Sequence, residues 1–562
     1  MKTSLFSLLL FITVPVLAQQ NCSVQSQRPL QLLSAEIKRS MKTLKKQNPP
    51  IYYLAYTYNE DEQADIDVQE QGVAYRGVRQ NRTLQVQARA GSPRMDNTRT
   101  LKKDRTYYTL RAGEMPAIAG DGKAFTTAVW RQTQLAAEEA QQEFNRVRAD
   151  AQTAANRADD SPDFVFPPKE TFCREEAPLA FDLDAIEQLL RNASALTQNK
   201  PFVLNSDFSF SYVSGSQYFA DSVGTLLKMP TRRARLMYSV EGKTADGAKL
   251  VRSQTYDVLS QAELPREEKL LADVAQSLAQ LHALTRAPEA DPVTVPAILK
   301  NRAMAVFVHE VLGHRVEGHR QKEDSFGKTF TNKVGQQVVA PILTIVDDAT
   351  LASFNNIPLR GFYYYDDEGV KARPVTLVKD GILQGFLMSA SPIQGFPTSN
   401  GHGRGETGKR PVARMGNTRV IASQTVPYAD LEQQLLAEIK KQGKPYGYII
   451  EDLSGGFTLT ETNYPQTFKL TPTLVYRLYP DGKKEIVRGA DMVGTPLVSF
   501  NEIIAAADDY AVFNGSCGAE SGWVPVSGIA PSVLLRKLEI EKTGKAESKP
   551  PVLPPPPSQE GK

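Results

Sequence analysis

The sequence predicts an α+β fold with two parts, an N-terminal α/β module and a C-terminal strand-rich domain built on a curved sheet or barrel. At 562 residues and 41% hydrophobic content, the chain is large enough to bury two cores. Its first half mixes amphipathic helical segments with alternating strand segments. In its second half, short apolar runs are separated by Asp-Asp, Asp-Glu-Gly and Asp-Gly turns, which is typical of strands.

The N-terminus has the pattern of a secretory signal. Lys2 precedes the apolar run Leu5 to Val14, and Val16-Leu17-Ala18 supplies small residues for cleavage. We therefore predict a signal peptide over residues 1–18 and an exported protein, periplasmic or extracellular. No later stretch has the length of a transmembrane helix. The net charge of +3 gives no drive toward nucleic acid or anionic membranes.

Residues 19–295 are predicted to form an N-terminal α+β domain. A helix is expected at Leu30 to Leu44, followed by antiparallel strands at Tyr52 to Tyr58 and Leu84 to Ala88. Residues 131–157 are rich in Ala, Glu, Gln and Arg with few large apolar side chains, which predicts a long exposed helix, an arm or an insertion.

Residues 296–541 are predicted to form the strand-rich domain. The expected strands are Leu343 to Val346, Gly361 to Tyr365, Val375 to Val378 and Ile382 to Met388. The tail, residues 542–562, carries Pro550-Pro551 and Pro554 to Pro557 between polar residues, so we expect it to be disordered.

A cluster of two histidines and a glutamate, His309-Glu310-Val311-Leu312-Gly313-His314, stands at the end of an apolar run in a chain with only five histidines. It indicates a metallopeptidase site. In a regular helix, residues five apart are rotated by about 140°, so we expect a π-type bulge, most easily accommodated at Gly313, to bring both imidazoles to one face. Glu310 would then act as general base on water activated by Zn2+. This part of the fold is predicted as a bulged zinc-binding helix.

A catalytic zinc needs a third protein ligand, which the local motif does not supply. The candidates are His319, His402, the cluster Asp366-Asp367-Glu368, and Cys517. If zinc holds Cys517, the two remaining cysteines, Cys22 and Cys173, are left either as a disulfide or as two free thiols.

An ordered series of segments carries a family resemblance. It runs through HEVLGHRVEGH, LTIVDDATL, YYYDDEGV, VKDGILQGFLMS, SNGHGRGE, PVARMGNTRV and NGSCGAESGWVPVSGIAPSVLLRKLEI. The region 296–541 resembles the TldD/PmbA metallopeptidase family. The resemblance implies that His309, His314 and Cys517 bind zinc and that Glu310 is the base. It also implies a two-subunit assembly, either a homodimer or a heterodimer with a homologue that lacks the motif.

Two positions depart from the family pattern. His319 stands where the family usually has an acidic residue, and Leu453 to Gly456 only loosely resembles the family's glycine-rich stretch. The roles of His319, His402 and Arg404 stay open at this level.

The predicted function is zinc-dependent hydrolysis of peptides or unfolded protein segments. Dipeptidyl peptidase III also uses a His-Glu-x-x-Gly-His motif, but this chain lacks the Glu-Glu-Cys motif that would supply its third ligand. A non-catalytic peptide-binding subunit with a structural metal, or a maturation or assembly factor whose long helix docks a partner, remains the alternative.

Overall fold

The computed structural model describes residues 22–24, 27–101, 109–153, 159–322, 326–458 and 467–543. The predicted signal peptide, residues 1–18, and the tail beyond residue 543 lie outside this part of the chain. Among the described residues, no helix combines the length and the apolarity that crossing a bilayer requires.

The N-terminal part is built on one eight-stranded sheet. Its strands are β1 (Ile51–Gln69), β2 (Gly72–Ser92), β3 (Met95–Asp96), β4 (Arg111–Glu114), β5 (Thr171–Cys173), β6 (Val203–Asp221), β7 (Leu226–Lys243) and β8 (Lys249–Val258). The order is β3-β2-β1-β6-β7-β5, and β4 and β8 pair with β2 and β7. All of these pairs are antiparallel except β5 with β7.

Four helices cover one face of this sheet: α1 (Arg28–Leu44), α2 (Lys123–Thr153), α3 (Leu183–Ala195) and α4 (Glu267–Leu284). Buried and more exposed side chains alternate along the long strands, and successive side chains of a strand point to opposite faces of the sheet. This alternation explains why the helices cover one face. On β1, the side chains of Tyr56, Tyr58, Ala64, Ile66 and Val68 are buried against the helices. The opposite face of the same strands carries Asn59, Asp61 and Gln63 and faces the C-terminal part.

The helix that was predicted as an exposed arm over 131–157 is α2, and it is packed. Phe125, Val129, Ala136 and Ala140 are buried against α1 and the sheet, and the Tyr56 and Thr133 hydroxyls share a hydrogen bond of 2.5 Å. Its composition predicts exposure because it has few large apolar residues. Alanine, however, lets a helix lie close to a sheet, so small side chains suffice to form this interface. Residues 154–157 lie outside the described residues.

The C-terminal part contains a closed barrel of five strands. These are β9 (Val293–Leu299), β18 (Gly447–Thr458), β19 (Phe468–Leu478), β21 (Ala490–Gly494) and β25 (Val533–Lys542), in the order β18-β9-β25-β21-β19, with β19 returning to β18. Two short strands, β20 (Lys484–Val487) and β22 (Ile503–Ala506), extend it at β19 and β25. The prediction of a strand-rich, barrel-like domain is therefore confirmed.

A six-stranded sheet lies beside the barrel, in the order β14-β13-β10-β17-β24-β23. Its strands are β10 (Leu343–Asp348), β13 (Pro374–Lys379), β14 (Ile382–Leu383), β17 (Asn417–Ala422), β23 (Ala511–Ala519) and β24 (Gly522–Ala530). The remaining short strands, paired in two hairpins, are β11 (Ser353–Phe354), β12 (Ile357–Pro358), β15 (Gly403–Arg404) and β16 (Val412–Ala413). The helices of this part are α5 (Asn301–Val311), α6 (His319–Lys322), α7 (Tyr428–Lys441) and α8 (Pro496–Asn501).

Two predicted strands of this part differ in the structure. Residues 361–365 form no strand, and the strand predicted from Ile382 to Met388 stops at Leu383. Both segments are apolar because they are packed as turns and coil: Phe386, Leu387 and Met388 lie in the core of the C-terminal part, and the first segment lies against the N-terminal sheet. Tyr365, for example, lies in a small core with Tyr53 and Phe219 of the N-terminal sheet.

A disulfide joins Cys22, which precedes α1, to Cys173 at the end of β5. The sequence left open whether these two cysteines form a disulfide or are free thiols, and in the structure they form a disulfide. Cys517 is the free cysteine, and it is buried.

Candidate metal centre

Two neighbouring histidines and a cysteine from a distant part of the chain meet beside the end of α5. The His309 Nε2 atom lies 3.1 Å from the Cys517 Sγ atom, and the His314 Nε2 atom lies 3.3 Å from the same sulfur. The two imidazole rings are 5.1 Å apart and nearly perpendicular. All three side chains are buried, and their ligand atoms lie within 4.8 Å of one another.

Helix α5 is held by its apolar face. Met304, Phe307, Val308 and Val311 recur at helical spacing and are buried. The Phe307 ring packs edge-on against two aromatic rings of the barrel region, Phe468 and Phe500. This packing fixes the helix between the barrel and the β23–β24 hairpin, so that His309 faces the strand that carries Cys517.

The predicted bulged helix is not what brings His314 to the cluster. Helix α5 ends at Val311, and residues Gly313–Val316 form a separate 3-10 turn. The Leu312 amide still donates to the Val308 carbonyl at 3.0 Å, four residues back, whereas the Arg315 amide donates to the Leu312 carbonyl at 2.9 Å, three residues back. The chain therefore changes direction at Leu312, and a tighter turn supplies the rotation that a π-type bulge was expected to supply.

The close approach of Met415 explains why glycine occupies position 313. A Cβ atom at this residue would overlap the Met415 sulfur. The turn thus lies directly on the Met415 side chain. A larger residue at position 313 would force either the turn or Met415 to move.

The donor set and its dimensions fit zinc. Zn–N distances of about 2.0–2.1 Å and Zn–S distances of about 2.3 Å place tetrahedral ligand atoms roughly 3.3–3.6 Å apart. The two observed nitrogen-to-sulfur distances, 3.1 Å and 3.3 Å, are close to that range. Two imidazoles and a thiol are also ligand types that zinc prefers.

The charges of the cluster favour a thiolate. Burial opposes ionisation of Cys517, but His314 and His309 outweigh it and lower the pKa of the thiol well below its usual value. For His314, burial is likewise outweighed, by Cys517 and Glu317, which raise its pKa to about 10. A metal cation at this position would replace the proton that the imidazoles otherwise carry.

Glu310 follows His309 directly and is half-buried. Burial raises the pKa of its carboxyl, although the two neighbouring imidazoles act in the opposite direction. A carboxylate whose pKa is shifted toward neutrality is suited to accept a proton.

A buried carboxylate orients His314 from behind. The His314 Nδ1 atom donates to Glu317 Oε2 at 3.2 Å, which leaves the Nε2 atom free to bind a metal. Glu317 is fully buried and is neutralised by Arg320, at 2.8 Å, and by Arg414, whose Nε atom lies 3.4 Å away. Arg414 also donates to the Cys517 carbonyl at 2.6 Å.

Sequence reasoning did not identify Arg320 or Arg414 as part of this network. Glu317 had a usable signal, because it lies three residues after His314 and can reach the same imidazole. The arginines carry no such signal, since Arg414 reaches the cluster only through the fold.

The other candidate ligands lie elsewhere. His319 contacts Glu520, which also accepts from Arg320 at 2.8 Å. His319, Glu520 and Glu317 form a second group of potential metal donors. Arg320 already forms ion pairs with both carboxylates of this group. His402 is fully buried and lies 3.2 Å from Asp347.

The acidic cluster and Arg404 are also outside the metal cluster. Asp366 accepts backbone N–H groups of Glu368, Val370 and Gly403, so it organises a turn. Arg404 donates to the Met415 carbonyl at 2.5 Å and stacks over a tyrosine ring.

A cavity of about 660 Å³ lies between the polar face of the N-terminal sheet and the C-terminal part. Neither Glu310 nor any of the three clustered side chains is among its lining residues. It adjoins the cluster through the β23–β24 hairpin, in which Cys517 is paired with Val524, a residue of the cavity wall.

Comparisons with known proteins agree with this architecture. Residues 292–542 match the family model described as the PmbA/TldA metallopeptidase C-terminal domain. A metalloprotease TldD homolog of Haemophilus influenzae is 30% identical over 280 residues, which cover 48% of this chain and 52% of the relative. A zinc metalloprotease TldD homolog of Saccharolobus solfataricus is 27% identical over 248 residues, covering 44% and 51% of the two chains.

A likeness in fold extends over most of the chain. The crystal structure of TldE from Thermococcus kodakarensis superposes with a TM-score of 0.58 at 13% identity, covering 91% of this chain and 100% of the other. In sequence, the chain spans about half the length of the relatives named above. The domain at residues 292–542 therefore belongs to the TldD/PmbA family of metallopeptidases.

Proposed function

We propose that this protein is a zinc-dependent peptidase that hydrolyses peptides or unfolded protein segments. The observation that carries the proposal is the meeting of His309, His314 and Cys517 beside Glu310. Three protein donors with a fourth position left for water or substrate are the usual arrangement of a catalytic zinc site. The names of the relatives, metalloproteases and in one case a zinc metalloprotease, support the same assignment.

In the proposed mechanism, His309, His314 and Cys517 hold zinc. When bound, zinc supplies Lewis acidity that makes a water molecule acidic near neutral pH. Glu310 accepts the proton of the attacking water and later delivers it to the leaving amine. Glu317 holds His314 in the tautomer that presents Nε2 to the cluster.

We propose that substrates bind in an extended conformation. Strand β23, which carries Cys517, is at the end of its sheet, so one edge of its backbone has no neighbouring strand within that sheet. Such an edge pairs with an extended peptide through main-chain hydrogen bonds. Recognition of this kind gives little side-chain preference and excludes folded proteins.

We further propose that the protein is exported and works as a dimer of identical chains or with a homologue that lacks the motif. The signal-like residues 1–18 and the Cys22–Cys173 disulfide support export, because disulfides persist in oxidising compartments. Light scattering that shows only a fully active monomer at micromolar concentration would contradict the dimer.

A pair of variants tests the function. Glu310→Gln is expected to keep its zinc but to lose hydrolysis by about 2 kcal/mol of barrier or more, since positioned general bases act on that scale. Cys517→Ala is expected to lose most of its zinc and to become sensitive to mild chelators. Metal analysis and a peptide-library digest measure both effects, with Glu539→Gln on the exposed side of β25 as the control for loss of a carboxylate.

Two results would count against the mechanism. Wild-type turnover in Glu310→Gln would show that Glu310 is not the general base. Stoichiometric zinc and normal hydrolysis in Cys517→Ala would show that Cys517 is not the third ligand. One of the carboxylates or His319 would then be the candidate for that role.

The alternative, an assembly factor that docks a partner through a long free helix, has less support. This alternative depends on an exposed helical arm near 131–157. In the structure this helix is α2, and one of its faces packs on the sheet, so that face is not available to a partner. Activity that survives Glu310→Gln but not disruption of α2 would favour it.

A further inference from the structure

The cavity between the two halves has a polar floor formed by the N-terminal sheet. The floor residues are neighbours across four strands: Asn81 lies opposite Asp61 on β1, and Val213 on β6 lies opposite Arg233 on β7. The roof is made of loops of the C-terminal part and includes Arg360 and Arg404. A space of about 660 Å³ is large enough for several residues of a peptide.

The carboxylates on the cavity wall are all engaged. Glu176 pairs with Arg174 (2.8 Å) and Arg232 (2.7 Å), and Asp257 pairs with Arg235 (2.8 Å) and Arg360 (3.1 Å). Asp61 accepts from Asn81 (3.1 Å), and Asp366, Asp367 and Glu406 accept from backbone N–H groups of Gly403 (2.8 Å), Gly405 (2.9 Å) and Trp523 (3.0 Å). Three arginines of the wall are thus ion-paired and Arg404 donates to the Met415 carbonyl, so that among the described residues one wall cation has neither an ion-pair nor a hydrogen-bond partner.

That cation is Arg233. Within the described part of the chain, its guanidinium forms no hydrogen bond, ion pair or ring contact, although it projects from the middle of β7 into the cavity. Asp61 and Asp367 act on it only from beyond ion-pair distance. Burial, followed by the like charges of Arg360 and Arg404, lowers its pKa to about 10, so it is still charged at neutral pH.

A guanidinium that faces a cavity without a protein partner keeps its N–H donors and its charge available for an anionic ligand. Its planar fork of N–H donors matches the two oxygens of a carboxylate. We propose that Arg233 is the recognition residue of a carboxylate-binding site in this cavity, and that the ligand is the carboxylate of a peptide, either its C-terminus or an acidic side chain.

The site adjoins the metal cluster through two connections. Val524 of the cavity wall is paired with Cys517 across the β23–β24 hairpin. Arg404, also of the wall, holds the carbonyl of Met415, whose side chain lies against Gly313 in the turn that carries His314. The cavity wall and the metal cluster therefore share the β23–β24 hairpin, and the role of a peptide held by Arg233 as a substrate rests on the proposed peptidase function.

Binding is measured without hydrolysis in the full-length chain that carries Glu310→Gln. Isothermal titration calorimetry compares three N-acetylated Ala/Ser peptides: one with a free C-terminal carboxylate, its C-terminal amide, and the amide with one internal Glu. We expect the peptides that carry a carboxylate to bind roughly 10- to 100-fold more tightly than the plain amide, the effect of one charge-assisted pair. A gain confined to the first peptide assigns the C-terminus, and a gain confined to the third assigns an acidic side chain.

Arg233→Gln, added to the same chain, should abolish this preference, and Arg233→Lys should retain part of it, because an ammonium keeps the charge without the fork. Arg79→Gln on β2 is the matched control, since it removes one exposed arginine outside the cavity wall. Thermal unfolding of Arg233→Gln should match that of the parent chain, because no partner is lost.

Equal affinity for all three peptides, or a preference that survives Arg233→Gln, overturns the proposal. The two hypotheses also separate. A wild-type chain that cleaves no peptide, but prefers carboxylates through Arg233, would retain this site and refute the peptidase function.

Discussion

Glu317 is the residue that connects the metal cluster to the charges around it. It binds His314 on one side and Arg320 and Arg414 on the other, in a fully buried position. Carboxylates that orient a ligating histidine change metal affinity by about 10- to 100-fold. We therefore expect Glu317→Gln to bind zinc weakly while the three proposed ligands are intact, which competition with a chelator would measure.

The same residue predicts a pH dependence of stability in the metal-free protein. Burial opposes ionisation of Glu317, but His314, Arg320 and Arg414 lower its pKa to about 2, from an ordinary value of 4.5. Its contribution is therefore fully present above about pH 4.5 and is lost as the pH falls toward about 2. Relative to Glu317→Gln, the wild-type chain should be more stable by on the order of 1–3 kcal/mol at neutral pH.

Urea unfolding of the two metal-free proteins at a series of pH values measures this difference. The gap should be largest between about pH 4.5 and 6.5 and should shrink below that range as Glu317 is protonated. It should also shrink as the pH rises toward about 10, because Glu317 helps to raise the pKa of His314. A gap that widens on acidification below about pH 4.5 would contradict the assigned ion pairs.

At this scale the sequence predicted only part of the cluster. His309, Glu310 and His314 stand close together in the chain, so their spacing alone indicated a metal site. Chemistry left Cys517 as one of several candidates, and the family resemblance singled it out. Nothing in the run Arg232-Arg233-Ala234-Arg235 indicates which arginine lacks a counterion, because Glu176 and Asp257 approach only in the folded protein.

Among the structural elements, the turn after α5 decides the geometry of the site. In Gly313→Ala, the new Cβ atom would overlap the Met415 sulfur, so either Met415 or the turn must move. We expect a loss of stability of about 1–3 kcal/mol, the usual cost of overpacking, together with weaker zinc binding. Thermal unfolding and metal analysis measure these effects.

Met415→Ala provides the matched test of this explanation. If overlap with Met415 is the cause, adding Met415→Ala to Gly313→Ala should cost less than the sum of the two single changes. Strict additivity of the two changes would assign the effect of Gly313→Ala to the backbone of the turn alone.

Elements were predictable where periodicity decides them and not where packing does. The helix predicted at Leu30 to Leu44 is α1, and the strand predicted at Tyr52 to Tyr58 is the first part of β1. The spacing of His309 and His314 requires an irregularity in the helix, which either a bulge or a helix end can supply. In the structure the helix ends, and the turn that follows it contacts the distant Met415. For α2, the composition gave no indication of which surface its alanines would meet.

Across the whole molecule, the Cys22–Cys173 bond ties the segment before α1 to β5, and 151 residues separate the two cysteines. Closing a long loop restricts the unfolded chain, and native disulfides contribute about 2–5 kcal/mol. We expect the double variant Cys22→Ser/Cys173→Ser to lose stability on that scale in urea. Its zinc content should be unchanged, since neither residue belongs to the metal cluster, and a loss of zinc in the folded variant would contradict this separation.

The closure of the barrel has a consequence for biosynthesis. Its first strand, β9, is a direct neighbour of its last, β25, with Val293 opposite Ile540. A ribosome that has delivered α5 and the turn Gly313–Val316 has made both histidines, but the nascent chain still lacks Cys517 and the strand that closes the barrel. The order of synthesis thus leaves the cluster of His309, His314 and Cys517 incomplete until β23 has been made, and leaves the barrel open until β25 has been made.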